Sequence, residues 1–363
     1  MKITIDQCRA VCQDKPEFTE RNKGEYIVFD YNMNDSHSFD NPVSLEMRGI
    51  AFDKNGNIVS RPFHKFFNYG EKPVDLDTKS LIIMDKLDGS MIRTIKVGNG
   101  FVLGTRAGET DVSALATSFV DDHDDYHELC EWVVEQGLTA IFEFCSKENR
   151  VVIDYGPEPK MSLLALRYND SGSYIKRDGL VAVAKEFNVP VVNQWSGMEF
   201  TKLVETVKEL KGAEGVVLAS DTGWCKIKAD EYCLMHKAVD QIKFDKDAAK
   251  LILTGTIDDV IPLLSDSRRK EIEQLRIVVN SGFTAMYQTL TNEYIQILKA
   301  VNNDRKEFAL RVKNHKHRGI MFALAFGDGD PVYDYIMKQT NSIKSWDDCY
   351  KELKSFLDSA HTV

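Results

Sequence analysis

The sequence predicts an α+β protein whose first part is built on antiparallel sheets and whose last part is all helical. Three observations predict this fold class. Short apolar runs joined by glycine-containing turns dominate the first two-thirds of the chain. After about Tyr232, apolar residues instead recur three and four positions apart, which indicates helices. A length of 363 residues exceeds what one core usually organises, so we expect two domains, residues 1–240 and 241–363.

The strands of the first part are predicted from apolar runs and from the turns between them. Two hairpins are expected because glycine and asparagine accept the positive φ of tight turns: runs 91–97 and 101–105, and runs 215–220 and 224–228. Single runs predict four further strands: 81–84, 140–145, 151–155 and 161–168.

Helices are predicted where apolar residues recur at helical spacing. In the first part these segments are 113–136, 178–187 and 199–211. In the second part they are 268–279, 284–301 and 345–357. Strand signals almost vanish after residues 240–247, and we place the domain boundary there.

Composition narrows the class of protein. Apolar residues make up 43% of the chain and charged residues 28%, which is typical of globular proteins and excludes a disordered or fibrous chain. The apolar runs are too short to span a bilayer, and the N-terminus lacks the apolar core of a signal peptide. Seven cysteines without any CxxC spacing favour a reducing compartment over a disulfide framework. We therefore expect a cytoplasmic protein.

The charge is unevenly distributed along the chain. Residues 245–363 carry 17 basic and 17 acidic side chains, so the whole net charge of −10 lies in the first 244 residues. An acidic chain is a poor general partner for a polyanion. A nucleic-acid site would therefore have to be a local basic groove.

Lys86 is the first candidate for chemistry. The sequence has neither a GxxxxGK[ST] loop nor a GxGxxG after a strand, so side chains would have to hold any nucleotide phosphates. Lys86 follows an apolar run and precedes Asp88 and Gly89, which allow a sharp turn. Partial burial beside other cations would lower the pKa of this amine and make it a nucleophile. An exposed turn with a charged pair is the alternative that this segment alone leaves open.

Further charged residues fit an anion-binding site. Lys226 and Lys228 lie two apart on a predicted strand, so both ammonium groups face one side, where a triphosphate would neutralise them. Four other charged side chains lie in apolar surroundings, where an unpaired charge is costly: Arg48, Lys65, Glu143 and Glu214.

In this order, these segments resemble motifs I, III, IV and V of the covalent nucleotidyltransferases, which are ligases and capping enzymes: Lys86-Leu87-Asp88-Gly89-Ser90, Phe142-Glu143-Phe144, Glu214-Gly215-Val216-Val217 and Lys226-Ile227-Lys228. Upstream, Arg48-Gly49 and Lys65-Phe66-Phe67-Asn68 narrow the resemblance to the bacteriophage T4 RNA ligase 1 family of tRNA-repair enzymes. The resemblance covers roughly residues 25–235. The chain departs from DNA ligases and capping enzymes at Met91, where they usually carry arginine, and from the family that it resembles at Arg106, where a lysine is expected.

The resemblance implies an N-terminal nucleotidyltransferase domain followed by a helical domain that selects RNA. It implies an ATP-dependent RNA ligase that joins 5′-phosphate and 3′-hydroxyl ends through lysyl-AMP and RNA-adenylate, with Mg²⁺ or Mn²⁺ as the metal. The implied substrate is tRNA with a broken anticodon loop, in the cytoplasm of a phage-infected host. An end-healing polynucleotide kinase-phosphatase is the implied functional partner.

The resemblance also assigns roles to residues of this chain. The implied catalytic residues are Lys86, Arg106, Lys226 and Lys228. The residues implied to bind the nucleotide are Tyr31, Arg48, Lys65, Phe67, Lys86, Glu143, Glu214, Lys226 and Lys228. The implied metal ligand is Asp258, which with Asp259 forms an acidic pair early in the second part.

Two alternatives stay open at this level. One is an ATP-dependent DNA ligase or a capping-type nucleotidyltransferase, which would share the lysyl-nucleotide chemistry. The other is a non-catalytic RNA-binding protein on a ligase scaffold. The basic run at residues 311–318 is hypothesised to contact RNA phosphates, with a solvated helix end as the alternative.

Overall fold

The structure is a computed structural model that describes residues 2–32, 36–196, 200–264 and 266–360. The chain divides into two compact units, Met1–Cys233 and Leu234–Val363. The first is a mixture of strands and helices and the second is helical, which confirms the predicted fold class.

Strands dominate the N-terminal unit. Its described residues form β1 (Phe18–Asn22), β2 (Tyr26–Tyr31), β3 (Ile50–Asp53), β4 (Ile58–Ser60), β5 (Phe67–Asn68), β6 (Ile82–Lys86), β7 (Ser90–Val97), β8 (Gly100–Gly104), β9 (Leu138–Cys145), β10 (Lys160–Tyr168), β11 (Gln194–Trp195), β12 (Gly215–Ala219) and β13 (Trp224–Lys228). Its helices are α1 (Ile5–Asp14), α2 (Pro42–Glu46), α3 (Asp111–Asp121), α4 (Asp124–Glu135), α5 (Arg177–Glu186) and α6 (Phe200–Lys208), with a 3₁₀ turn at Ser36–Ser38.

The strands form three sheets. Their orders are β1-β2-β3-β4, β10-β9-β7-β8 and β11-β6-β12-β13-β5. The paired strands are antiparallel except β13 and β5, which run parallel. Both predicted hairpins are present, as β7–β8 and β12–β13. Gly98 has a φ of +58° in the first of these turns, as a tight turn requires.

Apolar residues on the inner faces of the strands account for the cores of this unit. One core packs α3, α4 and α5 against β7, β9 and β10, and includes Phe142, Phe144 and Leu163, all almost fully buried. Another packs α6 against β12 and β13 through Leu203, Val216 and their neighbours. The apolar area that each packed face removes from water stabilises the fold by roughly 25 cal/mol per Å².

The predicted strand at 151–155 is wrong. Residues 151–155 have no strand pairing. The backbone N–H groups of Val152 and Ile153 donate instead to Asp88 Oδ2, at 2.8 and 2.7 Å. A carboxylate therefore takes the donors that a sheet would have used, and the apolar pattern of the segment reflects burial beside Asp88.

The predicted helix at 113–136 is two helices. α3 ends at Asp121, and His123 adopts an extended backbone with a φ of −136° before α4 begins. The predicted helix at 178–187 corresponds to α5. For the prediction at 199–211, residue 199 lies outside the described residues, and the rest corresponds to α6.

Helices form the described part of the C-terminal unit. They are α7 (Asp230–Gln241), which begins in the first unit, α8 (Asp245–Thr254), α9 (Asp266–Ala300), α10 (Arg305–Val312), α11 (Arg318–Phe326), α12 (Pro331–Gln339) and α13 (Ile343–Ala360), with 3₁₀ turns at Ile257–Asp259 and Ile261–Leu263. The predicted helices at 268–279 and 284–301 are one helix of 35 residues, α9. Buried residues such as Met286, Phe308 and Trp346 form the core of this unit. Within the described ranges, no helix combines the length and the apolarity that a bilayer crossing requires.

Candidate active site

A cavity of about 160 Å³ lies in the N-terminal unit and has a charged and an apolar side. Six residues singled out from the sequence line it: Tyr31, Arg48, Lys65, Lys86, Glu143 and Lys226. Its other lining residues are Phe63, Phe66, Met84, Asp85, Leu87, Met91, Leu164, Val192, Val217 and Trp224.

Strand register places Lys86 beside a buried carboxylate. In the third sheet, Gly215 on β12 pairs with Lys86 on β6 and with Lys228 on β13. Glu214, one residue before this central strand, therefore lies between the two lysines. Its Oε2 is 2.8 Å from Lys86 Nζ, and its Oε1 is 3.0 Å from Lys228 Nζ. Glycine is required at 215, because a Cβ there would lie 2.0 Å from the carbonyl oxygen of Ile227.

The turn after Lys86 is fixed by Asp88. Besides the two amides of the 151–155 segment, this carboxylate accepts from the Tyr232 hydroxyl at 2.6 Å. The backbone N–H of Asp88 donates to the Tyr155 hydroxyl at 2.8 Å. These partners satisfy the Asp88 side chain, so its part in the site is to hold the turn and with it the end of β6.

Three cations share the charged side of the cavity with Lys86. Burial, reinforced by Lys86, Arg48 and Lys65, lowers the pKa of Lys226 to about 7. Burial also lowers the pKa of Lys65, with Arg48 adding to the effect. The Lys65 ammonium lies 4.9 Å from the ring centre of Phe39, within cation–π range. Crowded cations of this kind are unfavourable on their own and are suited to bind a polyanion.

Tyr31 is covered by Arg106. The Arg106 guanidinium lies 4.0 Å from the centre of the Tyr31 ring, and its Nε is 3.1 Å from Oδ1 of the fully buried Asp30. Asp30 also pairs with Arg21 at 3.0 Å. Burial alone would raise the pKa of Tyr31, but Arg48 and the neighbouring cations hold it below its ordinary value. Arg106 therefore supplies a positive charge next to the cavity, although it is not among the residues that line it.

Glu143 places a carboxyl between two phenylalanines, Phe142 and Phe144, in β9. Its Oε1 accepts from the backbone N–H of Gly89 at 3.1 Å, which ties β9 to the turn after Lys86. Burial raises the pKa of Glu143 to about 7, against the opposing effect of Lys86 and with the help of Glu214. Glu143 thus changes protonation near neutral pH.

Five predicted site residues are not among those that line the cavity: Arg106, Glu214 and Lys228, whose contacts are given above, and Phe67 and Asp258. Phe67 sits beneath two ammonium groups, at 5.3 Å from Lys65 Nζ and 4.5 Å from Lys72 Nζ. Asp258 belongs to the C-terminal unit, where its Oδ1 accepts from Arg276 Nη2 at 2.6 Å. The metal role of Asp258 stays a prediction.

The apolar wall of the cavity was not foreseen from the sequence. Part of it was readable, because Met84 and Trp224 lie two residues before Lys86 and Lys226 and so share their strand faces. Val217 pairs with both Met84 and Lys226 across β12. Leu164 and Val192 reach the wall from elsewhere in the chain, and only the tertiary structure reveals them.

A lysine at a strand end, flanked by a buried carboxylate and facing a cationic cavity, is typical of nucleotidyltransferases. A family model described as RNA ligase, of the T4 RNA ligase 1 type, matches residues 46–256, more than half of the chain. The chain belongs to this family of RNA ligases and is an enzyme that ligates RNA.

Relatives of the chain are similar over most or part of its length. A protein of Thermovibrio ammonificans provisionally named RNA ligase is 28% identical over 331 residues, covering 87% of this chain and 85% of that one. RNA ligase 1 of bacteriophage TS2126 is 29% identical, over 52% of this chain and 51% of its own. A solved archaeal ATP-dependent RNA ligase has a TM-score of 0.46 and 12% identity, covering 76% of this chain and 75% of that one.

Proposed function

We propose that this RNA ligase uses ATP and works through a covalent lysyl-AMP at Lys86. The observation that carries the proposal is the position of Lys86 Nζ, beside Glu214 and in one cavity with Arg48, Lys65 and Lys226. The apolar wall suits a nucleobase, and the cations suit its phosphates. The N-terminal unit would carry this nucleotidyl transfer and the helical unit the selection of RNA.

The first step forms one bond and breaks one. Lys86 Nζ gives up a proton to water and attacks the α-phosphorus, so that a P–N bond forms while the bond to the β-phosphate breaks and pyrophosphate leaves. Lys226 and Lys228 would stabilise the charge on the α-phosphate, and Arg48 and Lys65 would hold the leaving pyrophosphate in line. Phosphoryl transfer depends mainly on such positioning and charge stabilisation.

The second and third steps return the lysine. An oxygen of an RNA 5′-phosphate attacks the same phosphorus, the P–N bond breaks, and Lys86 takes up a proton. An RNA 3′-hydroxyl then attacks the 5′-phosphate, loses its proton, and expels AMP. Glu143 and Glu214 would orient Lys86 and the ribose, Tyr31 and Arg106 would border the nucleotide site, and Phe67 would support Lys65.

The described residues offer few protein ligands for a divalent ion such as Mg²⁺. Among the residues that the structure describes, no three or more histidine, cysteine or acidic side chains form a ligand group. Mg²⁺ keeps several waters and usually takes one or two carboxylates, which Glu143 or Glu214 could supply here and Asp258 in the other unit. Such an ion would neutralise phosphate charge.

The RNA substrate that we propose is tRNA with a broken anticodon loop, in the cytoplasm of a phage-infected host. A protein of Autographa californica nuclear polyhedrosis virus, provisionally named bifunctional polynucleotide kinase/RNA ligase, is 27% identical over 71% of this chain. This chain covers 42% of that protein. That name joins a polynucleotide kinase to an RNA ligase, which supports our proposal that an end-healing kinase-phosphatase works together with this chain.

Labelling tests the proposal directly. The protein is incubated with α-³²P-ATP and a divalent metal ion, denatured, and separated on a gel. We expect one labelled band in the wild-type protein and none in Lys86→Ala, with little label from α-³²P-GTP. Label that survives in Lys86→Ala, or a wild-type protein that never acquires label, would contradict the covalent role of Lys86.

A further inference from the structure

A buried group of ion pairs lies outside the cavity lining. Glu46, at the end of α2, accepts hydrogen bonds from both terminal nitrogens of Arg167, at 2.7 and 2.9 Å, and from Arg61 Nε at 3.1 Å. The side chains are 11%, 4% and 1% exposed. Burial alone would raise the pKa of Glu46, but Arg167 and Arg61 hold it below its ordinary value. Glu46 is therefore ionised, and all three side chains are fixed in place.

This group joins the two segments that carry Arg48 and Lys65. Glu46 precedes Arg48 by two residues, and Arg61 precedes Lys65 by four. The backbone N–H of Lys65 donates to the carbonyl of Leu45 at 2.7 Å, one residue from Glu46. The segment 61–66 has no regular secondary structure. Its position therefore depends on these contacts rather than on a sheet.

Tyr174 fastens the same segment next to Lys65. Its ring lies under Arg167, with the guanidinium 4.6 Å from the ring centre. Its hydroxyl accepts from the His64 backbone N–H at 3.1 Å and is 2.9 Å from His64 Nδ1. Burial and Arg167 lower the pKa of His64 to about 4, so the ring is neutral at pH 7 and Nδ1 can accept the Tyr174 proton.

We propose that Glu46 and Tyr174 are positioning residues for the first step alone. They keep Arg48 and Lys65 at a fixed separation, matched to the pyrophosphate that leaves when Lys86 is adenylylated. The inference rests on the proposed function, since it assigns these cations to the leaving group. Joining of RNA that already carries a 5′-adenylate involves no pyrophosphate. Loosening Arg48 and Lys65 therefore slows adenylylation and its reversal, and spares the joining step.

The experiment compares two reactions of the full-length protein. One is the single-turnover rate of lysyl-AMP formation from ATP, with its reversal by added pyrophosphate. The other is the joining of a pre-adenylylated RNA to a 3′-hydroxyl end. For Tyr174→Phe, which keeps the ring and removes only the hydroxyl, we expect about tenfold slower adenylylation and pyrophosphorolysis, with joining within about twofold of wild type.

Glu46→Gln tests the ion pairs themselves and should lose more than tenfold in adenylylation. Glu46→Gln leaves two buried arginines without a counter-charge, so its folding is checked by thermal melting. If Glu46→Gln does not fold, the rates of Tyr174→Phe alone test the positioning role. Tyr168→Phe, an exposed tyrosine in the same unit, is the matched control and should leave both reactions unchanged.

The outcomes separate the two levels of the proposal. Equal losses of adenylylation and joining in Tyr174→Phe, or no loss in either, would overturn the positioning role while wild-type labelling stands. A wild-type protein that joins pre-adenylylated RNA but never forms lysyl-AMP would overturn the proposed function, and this inference with it.

Discussion

Lys226 shows how burial and crowding set the charge of one side chain. It is enclosed by the cavity walls and faces other cations, and these two effects bring its pKa to about 7. At pH 8 most of the free protein therefore holds Lys226 neutral. A polyanion in the cavity would favour the charged form and raise that pKa again.

This linkage predicts that ATP binding at pH 8 takes up protons. The wild-type protein should take up about one proton per ATP, because Lys226 becomes charged as the phosphates arrive. Glu143, with its raised pKa, should also gain protons beside the phosphates. The measurement is titration calorimetry in two buffers of different ionisation enthalpy. Affinity should also fall as the pH rises above 7.

Lys226→Arg is the matched variant, since arginine keeps the positive charge at every accessible pH. Its proton uptake should drop to the share of Glu143. Equal uptake in the variant and the wild-type protein would show that Lys226 is already charged in the free cavity.

At the residue scale, the charged residues of the site could be predicted from the sequence better than the buried residues that contact them. Lys86 was found from the turn that follows its apolar run, and Lys226 from its spacing with Lys228 on one strand face. Glu143 was found because an unpaired charge in apolar surroundings is costly in a fold. Asp30 was missed although it lies within the apolar strand β2, because its contact with Arg106 joins residues 76 positions apart. No local pattern encodes such a pair.

At the element scale, the turn between β6 and β7 leaves no room for a side chain at Gly89. A Cβ there would lie 2.3 Å from the carbonyl oxygen of Phe144 and 2.7 Å from Cys145 Sγ. Both atoms belong to β9, the strand that carries Glu143. The close approach thus links the turn after Lys86 to the strand with the buried carboxyl.

Gly89→Ala should therefore cost stability and activity together. Moving β9 away from the turn should destabilise the protein by about 2 kcal/mol and reduce lysyl-AMP formation at least about a hundredfold. Gly98→Ala is the control: it sits in the β7–β8 turn with a positive φ and open space, so it should cost about 1 kcal/mol and leave labelling intact. Melting curves and the labelling assay measure both. Normal labelling in Gly89→Ala would show that the turn has room to shift.

Strands and helices could be predicted from the sequence where neighbouring residues alone determine the backbone conformation. The two hairpins follow from their turns, because glycine and asparagine fix the backbone within a few residues. The prediction of a strand at 151–155 was wrong because the backbone N–H groups of this apolar run donate to Asp88 rather than to a neighbouring strand. The joint within 113–136 depends on one extended residue, His123, which helical spacing does not reveal.

At the scale of the whole molecule, net charge conceals the local charges that matter. The chain is acidic overall, yet its cavity gathers several cations and its last 119 residues are balanced. The basic run at 311–318 is also less free than its sequence indicates. Lys316 and His317 both contact Glu352, and His315 lies 3.3 Å from Glu293. Lys316 and the two histidines therefore already have acidic partners within the unit.

Lys313 is one of three exposed cations of this run, with Arg311 and Arg318, for which the described residues provide no acidic partner. If the run contacts RNA phosphates, Lys313→Glu should weaken the joining of broken tRNA about five- to tenfold and lower the salt dependence of affinity by about one unit. Lysyl-AMP formation should stay unchanged. The measurement is joining rate against RNA concentration at several salt concentrations.

Lys270→Glu makes the same change of charge on an exposed site of α9 and is the matched control. It should change the joining rate little, because a general shift in net charge acts weakly at moderate salt. Equal joining by the two variants would assign the basic run to a solvated helix end. A loss confined to Lys313→Glu would place RNA contacts on the helical unit, and phosphate contact there is the feature that would let a chain of net charge −10 hold a polyanion.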